Sequence, residues 1–222
     1  MSNRNENLGG RLPLLDPKGL APAQAKLYKV MDNTLIAWAN QTGFVVKTRD
    51  GKFIGPFNPS LYSPGITDGF SQFMDAEPKN TKLDKRTRQI VILTVGAVWN
   101  SPYELYAHSK EARKVGVPEG AIRALASGEP PEGLTSNELV AHRFARQLSA
   151  ERRVDDDLYR KAKQAFGEEG LVDMVYLIGI YLVTCALLNG FEIPAPISGA
   201  SEAGTETSSS KQYSSSVKPV QP

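Results

Sequence analysis

Cysteine is almost missing from this chain: Cys185 is the only one in 222 residues. An intramolecular disulfide, a CxxC redox pair and a multi-thiolate metal site are thereby excluded within one chain. Histidine is nearly as scarce, with His108 and His142 alone. Neither has a second imidazole at ligand spacing, so no metal is expected. An excess of one charge is also absent. The 26 Lys and Arg are matched by 24 Asp and Glu, and the signs are interleaved, so no nucleic-acid partner is expected. No Gly-rich phosphate loop, G-x-S-x-G elbow or H-E-x-x-H occurs. The polar stretch 1–10 lacks the basic start and apolar run of a secretory signal, which points to a reducing cytoplasm. One long hydrophobic run is present, Leu171 to Leu188, with Asp173 its only charge. It sits at the minimum spanning length and has no basic flank, so it reads as a buried core helix, with no membrane partner.

The length allows one sizeable domain. Residues 1–10 read as a flexible N-terminus and 11–197 as the folded unit, opened by an extended strap, Arg11 to Leu15, that docks its leucines. The Ser/Thr/Gly/Pro-rich segment 198–222 has too few apolar residues to offset its ordering entropy and reads as a disordered tail. Between these ends the punctuation is helical. A first helix is expected from Leu20 to Ala39, then a long loop over 43–60 with a tight turn at Asp50-Gly51. Ser63-Pro64 starts a helix to about Met74, and Asp84 caps one with a broad apolar face. Ser101-Pro102 opens the next, which Gly116 ends, and Pro118 opens a short one to Ala126. Thr135-x-x-Glu138 is a capping box for a helix to about Ala150. Asp155 to Phe166, closed by Gly167, and Glu168 to Asn189, closed by Gly190, complete the set. No period-two strand of any length is present, so the fold class is all-α.

Glu104 and His108 lie one helical turn apart and share a face, an arrangement suited to proton transfer. In that reading Glu104 accepts from one ring nitrogen of His108, while the other exchanges a proton with substrate. An ordinary reading stands beside it. Ser101-x-x-Glu104 is itself a capping box, and His108 can be a packed core histidine. Trp99, Tyr103 and Tyr106 surround the pair as pocket lining or as plain core. Arg86 and Arg88 are candidate holders of a substrate carboxylate, and His142 reads as structural or exposed.

Leu83-Asp84-Lys85-Arg86-Thr87-Arg88-Gln89-Ile90-Val91-Ile92-Leu93, followed by Tyr103-Glu104 and Ala107-His108, resembles the carboxymuconolactone decarboxylase family. Gly55-Pro56-Phe57-Asn58, Ser63-Pro64, Gly116-Val117 and Phe191-Glu192-Ile193-Pro194 extend the resemblance over most of the folded unit. The related AhpD-like alkylhydroperoxidases carry a Glu, a CxxC pair and a His. On this chain Ser101 and Glu104 fall at the two cysteine positions and Gln89 at the upstream Glu, so a thiol peroxidase is not expected. The resemblance implies an AhpD-like helical bundle that forms a homo-oligomer (dimer, trimer or hexamer). It also implies cofactor-free loss of CO₂ from a lactone acid, with His108 as general acid/base and Glu104 as its partner.

Three readings follow: a lyase acting on a small carboxylated lactone or oxo acid, an isomerase, cyclase or hydratase using the same pair without loss of CO₂, or a non-catalytic oligomeric binding protein. The substrate-binding set expected around His108 and Glu104 is Arg88, Gln89, Trp99 and Tyr103.

Overall fold

A computed structural model describes residues 7–196. Eight helices follow a short 3-10 turn at Pro17–Gly19: α1 Pro22–Thr42, α2 Phe57–Tyr62, α3 Pro64–Asn80, α4 Lys85–Val98, α5 Pro102–Lys114, α6 Glu119–Ser127, α7 Ser136–Glu151 and α8 Asp156–Gly190. The start signals at Asp84 and Thr135 act as the sequence predicts. Asp84 accepts from the N–H groups of Arg86 and Thr87 at 2.9 and 3.0 Å, and Thr135 and Glu138 form their reciprocal box at 3.2 and 2.8 Å. Such caps contribute roughly 1 kcal/mol each.

Three expectations change. The two helices expected on either side of Gly167 abut as one element, broken where Gly167 takes φ 69° and ψ −179°. α3 runs past Met74, through Pro78 to Asn80, and on its last turn Arg88 grips the Glu77 carboxylate. Residues 8–10 are docked, against the expectation of a flexible stretch up to residue 10. The Arg11 N–H donates to Phe191 O at 2.7 Å, and a Cβ on Gly10 would stand 2.1 Å from that oxygen. The strap continues through Leu15, whose N–H donates to Asn58 Oδ1 at 3.1 Å, while Asn58 Nδ2 donates to Pro13 O at 3.1 Å. The sequence's tail, 198–222, lies outside the described residues.

α4 is apolar almost all round and is buried accordingly, from Ile90 to Gly96. Val91 and Val95 pack with Phe144 of α7 and Met174 and Ile178 of α8. On another face Ile90 and Leu93 meet Ala112 of α5 and Ile122 and Leu125 of α6. Burying side chains of this size contributes roughly 1.5–3 kcal/mol each. A further cluster joins Tyr103 and Ala107 of α5 to Val46 and Ile54 of the 43–60 loop and to Leu188. That loop is an antiparallel bridge, Lys47 to Phe53, around the Asp50-Gly51 turn, and its end forms the first turn of α2. Among the described residues α8 alone is long and apolar enough to cross a membrane. Here Leu171, Met174, Leu177, Ile178, Cys185 and Leu188 bury one side of it, and Val172, Val175, Tyr176 and Val183 are exposed on the other.

Candidate functional site: a buried histidine and carboxyl pair

The junction of α4 and α5 determines what Glu104 can do. Asn100 takes φ 47° and the Ser101 N–H donates to Gly96 O at 2.9 Å. A capping box needs that N–H for Glu104, so the expected Ser101–Glu104 box does not form. The Ser101 hydroxyl caps nothing either and is buried beside the Cys185 thiol. Freed from the helix end, the Glu104 carboxyl turns inward and its Oε2 lies 3.3 Å from His108 Nε2. Both residues are buried.

Gln89 of α4 sets the tautomer. Its Oε1 lies 2.9 Å from His108 Nδ1, and an amide oxygen only accepts, so the ring hydrogen sits on Nδ1. Nε2 then presents its lone pair to Glu104. Among the described residues no group donates to Glu104 Oε2, which leaves a buried anion uncompensated. Burial accordingly raises the carboxyl from 4.5 to about 8. Burial first, and then the Arg88 charge, lower His108 from 6.5 to about 3. Both shifts favour the neutral pair, with the Glu104 carboxyl beside Nε2 and the Gln89 amide on Nδ1.

Two helices close the surroundings. The Tyr181 ring of α8 stands edge-on to the imidazole, centroids 4.9 Å apart, and Trp38 of α1 lies at 6.5 Å. Burial and the Glu104 charge raise the Tyr181 hydroxyl above its ordinary range. The Cys185 thiol, beside Ser101, is pushed up to about 12 by burial and by Glu104, so it remains protonated. Glu111 extends the Glu104 and His108 stripe by another turn, with a buried oxygen that has no partner among the described residues. The 4-3 spacing could have revealed Glu111. Trp38, Tyr181 and Cys185 carry no local signal, because distant segments bring them in.

Of the expected set, Gln89, Glu104 and His108 converge. Arg88 is close, but its fork is committed to Glu77, with Nε to Oε1 at 3.0 Å and a second bond from Nη2. Arg86 is likewise paired with Glu138, at 2.8 and 3.3 Å. Trp99 and Tyr103 do not join the set. Trp99 ends α4 and packs on the α4, α7 and α8 core, and its carbonyl accepts from Asn189 at 2.5 Å. Tyr103 points into the 43–60 loop, donating to Val45 O at 2.6 Å beneath Gly55. His142 is structural: its Nδ1 lies 2.9 Å from Thr94 Oγ1, whose own hydrogen goes to Ile90 O. Among the described residues no group of three or more His, Cys, Asp or Glu side chains could hold a metal ion.

The chain is similar to several known proteins. Residues 64–147, which carry Gln89, Glu104 and His108, match the profile of the carboxymuconolactone decarboxylase family. The uncharacterized protein YdfG of Bacillus subtilis is 25% identical over 115 residues, spanning 50% of this chain and 78% of YdfG. An uncharacterized peroxidase-related protein from Silicibacter superposes with a TM-score of 0.66 at 13% identity, over 88% of this chain and 95% of that one. An AhpD-core protein from Ralstonia eutropha gives 0.64 at 15%, over 84% and 92%. The debrominase Bmp8, in complex with 2,3,4-tribromopyrrole, gives 0.64 at 14%, over 86% and 95%. At these identities the structural likeness concerns the fold. Taken together, residues 64–147 are similar to the carboxymuconolactone decarboxylase family, and the chain has an all-helical fold similar to that of AhpD-like proteins.

Proposed function

We propose that the chain is a cofactor-independent acid–base enzyme, a carbon–carbon lyase that removes CO₂ from a small carboxylated lactone or oxo acid. The observation that carries this reading is the neutral Glu104–His108 pair, 3.3 Å apart, with its tautomer fixed by Gln89. As the carboxylate leaves as CO₂, the bond pair remains on the substrate carbon. The Glu104 carboxyl proton, 3.3 Å from His108 Nε2, transfers to that carbon. Glu104 is left as carboxylate and recovers a proton from solvent. A water-poor setting favours both the loss of a charged carboxylate and the retention of the proton until it is needed.

The test is CO₂ release from a panel of carboxylated lactones and β-oxo acids. His108→Ala is expected to abolish release, and wild-type activity is expected to fall as pH rises through about 8, where Glu104 loses its proton. Activity indifferent to His108 would overturn the reading. Arg88, already paired with Glu77, offers no free anchor for a carboxylate, and this favours keeping a second reading in which the pair isomerises, cyclises or hydrates its substrate. The product mass separates the two.

The assembly proposed with this function is a homo-oligomer. Val172, Tyr176 and Val183 stand exposed at steps of four and seven residues on α8, as in a helix–helix seam. The Phe73 ring of α3 adjoins Tyr176 at 5.7 Å and widens the patch. A second copy of the chain is the proposed partner there.

A further inference from the structure

A cleft of about 370 Å³ opens between α1, α2, α3 and the C-terminal half of α8. Its size falls in the range of small-molecule sites. Leu27, Val30, Met31, Phe57, Phe70 and Leu187 give it an apolar lining. Four of the hydroxyls that reach it, those of Thr34, Ser60, Thr67 and Thr184, each donate to a backbone carbonyl, and Ser71 adds a fifth. The charged groups, Lys26, Asp68 and Asp75, are exposed side chains. Such a wall suits an uncharged, largely apolar body.

Each of three walls, continued by one helical turn, arrives at a residue of the histidine's surroundings. Leu35 of α1 leads to Trp38, whose ring faces the imidazole at 6.5 Å. Thr184 of α8 leads back to Tyr181, edge-on at 4.9 Å. Met74 of α3 leads to Glu77, the partner of Arg88. Trp38 and Tyr181 are half-buried, whereas His108 and Glu104 behind them are buried.

We propose that this cleft receives the apolar body of the substrate and delivers its polar, reacting head to His108 between Trp38 and Tyr181. The inference rests on the acid–base reading of His108 and adds to it a substrate class: an amphiphilic acid or lactone with an alkyl or aryl body.

The test uses straight-chain alkan-1-ols from butanol to octanol, titrated into the full chain and followed by NMR. Affinity is expected to rise about three- to fourfold per added methylene, the effect of burying roughly 0.8 kcal/mol of CH₂. Octanol should shift the Trp38 and His108 ring signals. Val30→Trp and Met74→Trp, both at exposed lining positions, are expected to remove the length dependence, and whichever variant keeps the wild-type unfolding curve decides. Length-independent binding, unmoved Trp38 and His108 signals, or a length dependence that survives in a folded blocked variant would overturn the proposal. So would loss of alkanol binding as the protein self-associates, which would make the cleft an interface between copies. His108→Ala should retain alkanol affinity, so failure of the chemistry and failure of the cleft are read separately.

Discussion

At the scale of single residues, Glu104 and His108 impose opposite pH slopes on stability. Glu104 is raised from 4.5 to about 8 in the fold, so between those values the native state binds more protons than the unfolded chain, and raising pH lowers stability. His108 is lowered from 6.5 to about 3, so between those values the unfolded chain binds more protons, and raising pH increases stability. The slopes oppose each other between about 4.5 and 6.5, and the pair's contribution falls on either side of that window. Glu104→Gln is expected to flatten the alkaline limb and leave the acid limb, as read from urea unfolding midpoints across pH. The residue identities of this pair were legible in the sequence because one turn of helix relates them. Their protonation was not, since it depends on Ser101 giving its N–H to Gly96 and on the burial provided by α8.

At the scale of elements, one ion pair and one glycine hold the parts that frame the site. Arg88 of α4 and Glu77 of α3 form a bidentate pair whose side chains are 16% and 4% exposed. Arg88→Ala leaves Glu77 buried and unpaired and is expected to destabilise by about 3–5 kcal/mol, whereas Arg88→Met with Glu77→Leu should recover most of that loss in denaturant unfolding. Gly55, at φ 61°, lies where a Cβ would stand 2.2 Å from the Tyr103 ring. Gly55→Ala is expected to cost about 1–3 kcal/mol through displaced packing, with added backbone strain, measured in the same way. Helix starts were readable from Asp84, Thr135 and Asp155 because capping is local chemistry. The end of α3 was not, because the Arg88 that pairs with Glu77 on its last turn comes from another helix.

At the scale of the whole molecule, the exposed face of α8 and the buried face serve different ends. Tyr176→Glu and Val183→Glu place charge on the outer face and leave the inner residues untouched, and are expected to shift the protein to a smaller species in light scattering after size exclusion while preserving its helical spectrum. An unchanged mass would remove α8 as the seam. The all-helical class and the apolar helix were evident from periodicity alone. Which side of α8 meets the site was not, since Tyr181 and Cys185 acquire their meaning only from α5 packed against them.

The clasp between Arg11 and the segment after α8 joins residues separated by up to 181 positions. During synthesis the strap therefore waits for almost the entire folded unit to emerge before it finds its seat. Leu8 and Leu14 help cover the cluster that contains Tyr103 and Ala107, on the helix that carries His108. The seat is finished last, so a chain arrested before Phe191 would hold every residue of the proton pair yet leave that cluster open to water.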